Sequence, residues 1–319
     1  MTRTDYASDV VWDKECENTV FIFNTEVETR TLPFNFEEES WAIPPPFHHH
    51  IAEVRVCSDE SLLVSFKIGK DENAVEEDRE EEGEGCIVRY KDMTGLREYC
   101  RAGLAGEALA DFPPVQFVTN ATTCTVICPD NLVHTQTTDP RYPSTLGRPH
   151  TGDHLFEPVP YLSETRASKI ASGGYMTAVI SEEGELFLWS QANPGTDREL
   201  AVLRSQDGMT GEERKGTAIW ADGEQDEFVK CLSVRIDGKE AVVYDVAVGS
   251  GHVLVAAKSS DGNHVVFAAG CGSEGQLGLG RSVDFQEEFE EIVALRNKRV
   301  IQLEAAGWSS FVVTDDDDR

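Results

Sequence analysis

Basic residues are scarce in this chain: 28 lysines and arginines stand against 58 aspartates and glutamates, a formal net charge of -30. A broad face for nucleic acid is thereby excluded, because phosphate backbones are held by Lys and Arg. Long apolar runs are lacking too, none approaching the ~18 residues of a membrane-spanning helix. The opening residues, MTRTDYASDVVWDKE, carry charged side chains ahead of any apolar stretch and do not read as a secretion signal. Cysteines number eight in 319 residues (16, 57, 86, 100, 124, 128, 231, 271) and show no disulfide-framework rhythm. Free thiols in the cytosol or nucleus are the expectation. Helical periodicity is sparse, and only TGLREYCRAGLAGEALADF, residues 94–112, suits a short helix before Pro113.

Catalytic and ligand motifs are missing as well. GCGSEGQLGLG, residues 270–280, lacks the lysine of a phosphate-binding loop, since Gly280 is followed by Arg281 and Ser282. It also makes a poor helix start for a dinucleotide fingerprint. His48, His49 and His50 point to alternating sides of an extended segment and cannot converge on one ion. Cys124 and Cys128 are four apart in an expected strand, roughly 13 Å from each other, too far for one zinc. No Ser, His and Asp grouping stands out, so no enzyme activity, cofactor or metal is expected.

What the chain does have is a repeat. DVAVGSGHVLVAAKSSDGNHVVFAAGCGSEGQLGLG, from Asp245 to Gly280, reads as strand, bend, strand, Asp-Gly turn, strand and glycine-rich loop. KIASGGYMTAVISEEGELFLWS, residues 169–190, is a second copy: Ala171 and Gly173 align with Ala247 and Gly249, Gly184 with Gly262, and Trp189-Ser190 with Ala269-Gly270. LEAAGWSSFVVTDDDD puts Ala305 and Gly307 on the first two positions. Weaker copies set Ser58 and Asn120 where the bend glycine stands, and Asn tolerates a left-handed backbone best. Ser61, Thr123, Met176, His252 and Ser310 are then equivalent, at spacings of 62, 53, 76 and 58 residues, enough for four short strands and variable loops. Five units are visible, and six or seven fit the length.

The last unit lacks its third and fourth strands, whereas ENTVFIFNTEVETRTLPF near the N-terminus reads as a strand without predecessors. Pairing of the N- and C-terminal strands would close a ring of sheets and remove open edges. The expectation is one domain over residues 1–319, with an acidic loop insertion at 71–85 and an acidic tail at 315–319.

The residues Ala247, Gly249, His252, Gly262, Gly270, Gly275, Gln276, Leu277, Gly278 and Gly280 resemble the repeat of the regulator of chromosome condensation family. The resemblance implies an all-β fold, a β-propeller of four-stranded blades closed by both termini. It implies a non-catalytic protein-binding role as scaffold, adaptor or chaperone-like partner. Small stand-alone propellers of the family hold a zinc protein of diphthamide synthesis and tRNA modification, or partner a chromatin-associated oxygenase. The alternative it implies is guanine nucleotide exchange on a small GTPase.

The acidic residues favour a basic protein partner, with no nucleic acid and no membrane, the chain being a monomer or part of a heterodimer. Candidate contacts are Glu76, Glu77, Asp78, Glu80, Glu81 and Glu82 in the loop, Asp315, Asp316, Asp317 and Asp318 in the tail, and Trp308 as an aromatic anchor beside Gly307.

Overall fold

The computed structural model describes residues 10–12, 20–22, 49–57, 61–68, 85–92, 95, 106–137, 139–152, 155–204, 216–221 and 226–315. These fall into two compact units, Met1–Val115 with His154–Phe156, and Gln116–Asp153 with Glu157–Arg319.

In the first unit β1 (Val10–Trp12) pairs with β2 (Val20–Ile22), and β3 (His49–Val56), β4 (Leu62–Ile68), β5 (Gly85–Tyr90) and β6 (Glu107–Ala110) form an antiparallel sheet in that order. Strand β6 lies inside the segment expected to be helical, whose residues 96–105 fall outside those described. Within residues 107–110 Glu107 and Ala108 stand opposite Arg89 and Val88, and Leu109 is buried, so there a tertiary ladder overrides local helical preference. Val54, Leu62, Val64, Phe66 and Tyr90 make this sheet's core.

The second unit stacks further sheets in chain order. The first has β7 (Gln116–Thr119), β8 (Thr123–Ile127), β9 (Val133–Thr137) and β10 (Glu157–Pro158). Next come β11 (Ala167–Gly173), β12 (Met176–Ser181), β13 (Leu186–Ser190), β14 (Ala218–Ala221) and β15 (Val229–Ile236), with β15 beside β13 and β14 added outside it. A third comprises β16 (Lys239–Val248), β17 (His252–Ser259), β18 (His264–Cys271) and β19 (Phe285–Glu291). Strands β20 (Val300–Ala306) and β21 (Ser309–Thr314) form the last, two-stranded sheet. These are the repeat units read from the sequence, apart from the extra β14.

Both faces of the middle sheets are buried, which explains their near-continuous apolar runs. Along β17, Val253, Val255 and Ala257 pack towards β11–β15, while Leu254 and Ala256 pack with Val300 and Leu303 of β20. Each such buried Val or Leu contributes about 1.5–3 kcal/mol. Among the described residues β1 pairs with β2 and β21 with β20.

Candidate functional site

The repeat motif builds the bends at which the first two strands of each sheet meet. In the second unit these are the two-residue bends Ala121–Thr122, Gly174–Tyr175, Ser250–Gly251 and Gly307–Trp308. Neighbouring bends touch in turn. Ala121 N–H donates to the Gly174 carbonyl at 2.8 Å and Ser250 N–H to the Gly307 carbonyl at 2.7 Å. A Cβ on Gly173 would stand 2.3 Å from the Val248 carbonyl oxygen, and one on Gly249 2.1 Å from the His252 ring. Close approach therefore requires those two glycines, whereas the left-handed backbone falls on Gly174, Gly251 and Gly307.

Two sequence expectations change accordingly. Asn120 holds its bend without a left-handed backbone: its Oδ1 accepts the Thr122 and Thr123 N–H groups at 3.0 and 2.8 Å. In the last sheet Ala306 faces Ser309, so Ser309 is the true counterpart of His252 and Gly307 that of Gly174, one residue from the alignment.

Further along, Ser190 and Gly270 both have positive φ, 81° and 104°, and stand opposite Met176 and His252. Gly184 and Gly262 likewise share φ of 86° and 88° in the second turn.

His252 is fully buried and its Nε2 lies 2.9 Å from Ser310 Oγ on β21, tying the last two sheets together. Burial lowers its pKa to about 4, so the ring is neutral at pH 7.

A second set of ties lies four residues before Asn120, Gly173 and Gly249, the residues that enter the bends. Gln116 Oε1 accepts the Ile170 N–H at 2.8 Å, Lys169 Nζ pairs with Asp245, and Asp245 Oδ2 accepts the Leu303 N–H at 2.7 Å. Each side chain reaches from one sheet to the next. Sequence reasoning missed these residues, although a lone acid heading the apolar run DVAVG was a visible signal for Asp245.

Arg148 was also missed, in a passage read only as irregular. Its guanidinium is buried against Thr135 Oγ1 and O at 3.1 and 2.9 Å, the Pro149 carbonyl at 3.1 Å, and Glu157. Desolvation lowers its pKa from the ordinary arginine value, with Glu157 opposing.

The loop 270–280 is a succession of tight turns: Gly275 N–H donates to Gly272 O and Gly278 N–H to Gly275 O, both at 3.0 Å. Gln276 is buried and its Oε1 takes the Glu274 N–H at 2.9 Å. Leu277 packs among Leu254, Val266, Ile292 and Leu303, between the last two sheets. Gly280, at the loop's end, has φ of 70°. Cys124 and Cys128 are buried, and burial, reinforced by Asp130, pushes the Cys128 thiol up to about 12.

On the surface, Trp308 is 38% exposed and Phe311 62%, on the last sheet with Ile301 and Val313 also exposed. Glu304 stands opposite Phe311, and Asp315 follows the strand with its N–H on the Arg299 carbonyl at 2.9 Å. Residues 76–82 and Asp316, Asp317 and Asp318 fall outside the described residues. Among those described, no group of three or more His, Cys, Asp or Glu could hold a metal ion, and no helix is long and apolar enough to cross a membrane.

Sheets in series in the second unit, turned at bends that carry glycine or Asn120 and tied each to the next, define propeller blades. No family model matches the sequence, and no curated protein matches it. Solved structures do. Prp20p from Saccharomyces cerevisiae, described with its binding to Gsp1p and histones, is similar at a TM-score of 0.52 and 14% identity, covering 93% of this chain and 64% of that one. Human WBSCR16 matches at 0.54 and 14% identity, covering 98% and 70%. Yeast RCC1 (Prp20) bound to Kap60 matches at 0.51 and 15% identity, covering 94% and 63%. The fold is that of the RCC1-type β-propeller. The chain spans 64% of the length of the first of these structures.

Proposed function

We propose that this chain is a non-catalytic protein-binding propeller, a scaffold, adaptor or chaperone-like holder of a basic or compact partner. One observation carries the reading: on the last sheet the exposed Trp308, Phe311, Val313 and Ile301 lie in a setting of acids, with Glu304 facing Phe311 and Asp315 ending the strand. Aromatic anchors inside an acidic field suit a partner that brings both apolar and basic side chains. The acidic loop 71–85 and tail 315–319 would extend that field, speeding encounter more than deepening affinity.

Affinity purification of the tagged full chain at low salt, repeated with Trp308→Ala and with Phe311→Ser, tests it. A partner that is retained by the parent and lost from either variant is expected; retention by both variants removes this surface from the proposal.

Nucleotide exchange on a small GTPase is the second reading, favoured by the likeness to Prp20p, which is described with binding to Gsp1p. It expects faster release of a fluorescent nucleotide from one member of a panel of small GTPases, and a flat panel removes it. A small zinc protein is the other compact partner in view, in a cytosolic or nuclear setting.

A further inference from the structure

An outer groove of about 690 Å³ lies between the second and third sheets of the second unit, β11–β15 and β16–β19, and the repeat motif does not account for it. Its size is that of a site for a ligand or a short segment of chain, roughly 300–1,000 Å³. One wall is the turn Glu183–Glu185 with residues 231–235 of β15; the other is Glu240–Val242 of β16 with Lys258–Ser260. A hydrogen bond from Val243 N–H to the Gly184 carbonyl, 2.9 Å, fixes the walls to each other.

Two features mark it out. Val242 lines the groove with 51% of its surface exposed. Glu183, Glu185 and Glu240 line it too and make no ion pair among the described residues, whereas Glu157, Glu182, Glu287, Glu290 and Glu291 each hold an arginine. Arg235 faces Glu240 across the ladder, yet its guanidinium sits 5.1 Å from the centre of the Trp220 ring.

We propose that this groove receives an extended segment of a partner protein in which aliphatic residues alternate with lysine or arginine. The inference rests on the protein-binding reading and names a site and a segment for it. In an extended chain successive side chains point to opposite sides, so such a segment lays its aliphatic residues on Val242 while its cations reach the flanking carboxylates. An acidic segment would meet three unpaired carboxylates against the two cations of the lining, Arg235 and Lys258, and is the less favoured occupant.

The test uses the full chain and a fluorescein-labelled peptide of alternating lysine and valine, followed by anisotropy. Substituting Glu183→Gln, Glu185→Gln and Glu240→Gln together is expected to weaken binding about tenfold. Glu107→Gln, Glu164→Gln and Glu274→Gln together change net charge equally, line no part of the groove and are expected to weaken it less than about twofold. Val242→Thr, which keeps a β-branched strand residue, is expected to weaken it about threefold. Equal weakening by the two triple variants overturns the proposal, as does unaltered binding by Val242→Thr. Equal binding of a glutamate and valine peptide, or a dimer that the groove triple dissolves, also overturns it. If the groove fails while partner capture through Trp308 and Phe311 succeeds, the platform reading stands without this site.

Discussion

At the scale of the residue, the repeat positions differ in what their side chains must avoid. Gly270 sits where a Cβ would lie 2.1 Å from the Gly251 carbonyl oxygen, while Ser190 occupies the same repeat position with a Cβ in place. Gly270→Ala is therefore expected to destabilise by roughly 1–3 kcal/mol, and Ser190→Gly to be neutral or mildly stabilising, in urea titrations of the two variants. His252 gives a pH signature. Its folded pKa, about 4, lies below the ordinary histidine value of 6.5, so the unfolded chain binds the proton first and stability is lost as pH falls from 6.5 towards 4. Met176, on the same position one sheet earlier, shows that an apolar residue is accommodated there. His252→Met should flatten the dependence of unfolding free energy on pH across that window; an unchanged slope would place the effect elsewhere.

At the scale of the element, the ties between sheets carry the stack. Asp245→Ala would leave Lys169 without its carboxylate and the Leu303 N–H without an acceptor, and is expected to cost roughly 2–4 kcal/mol, read as a lowered melting temperature. Gly278 has φ of 64°, so Gly278→Val should destabilise the loop by about 1–3 kcal/mol through backbone strain. A variant of full stability would contradict the structural role of 270–280. The units were legible because the later bends and the turns at Gly184 and Gly262 carry glycines at fixed offsets from apolar strands. Ser190 was matched to Gly270 from sequence alone, and their shared positive φ explains the match. The last unit slipped by one residue because glycine meets two different needs at these bends, close approach at Gly249 and left-handed backbone at Gly307. Arg148 and Gln116 left no periodic trace, since their roles depend on partners 13 and 54 residues away.

At the scale of the whole molecule, the repeat residues serve architecture, and the proposed recognition falls to surface side chains and charge. A formal charge of -30 predicts an affinity for a basic partner that is strongly screened by salt. Trp308 and Asp315 were legible as candidates because an aromatic and an acidic run stand out at the end of a repeat. The groove beside Val242 was not, because it forms only when β15 and β16 bring Arg235 and Glu240 together in a hairpin. The most direct measurement is the affinity for the partner recovered from low-salt purification, titrated against the purified chain from about 50 to about 300 mM salt. A loss of at least about tenfold is expected across that range, and a comparable loss on Trp308→Ala at low salt. An affinity indifferent to both salt and Trp308 would contradict an acidic platform with an aromatic anchor.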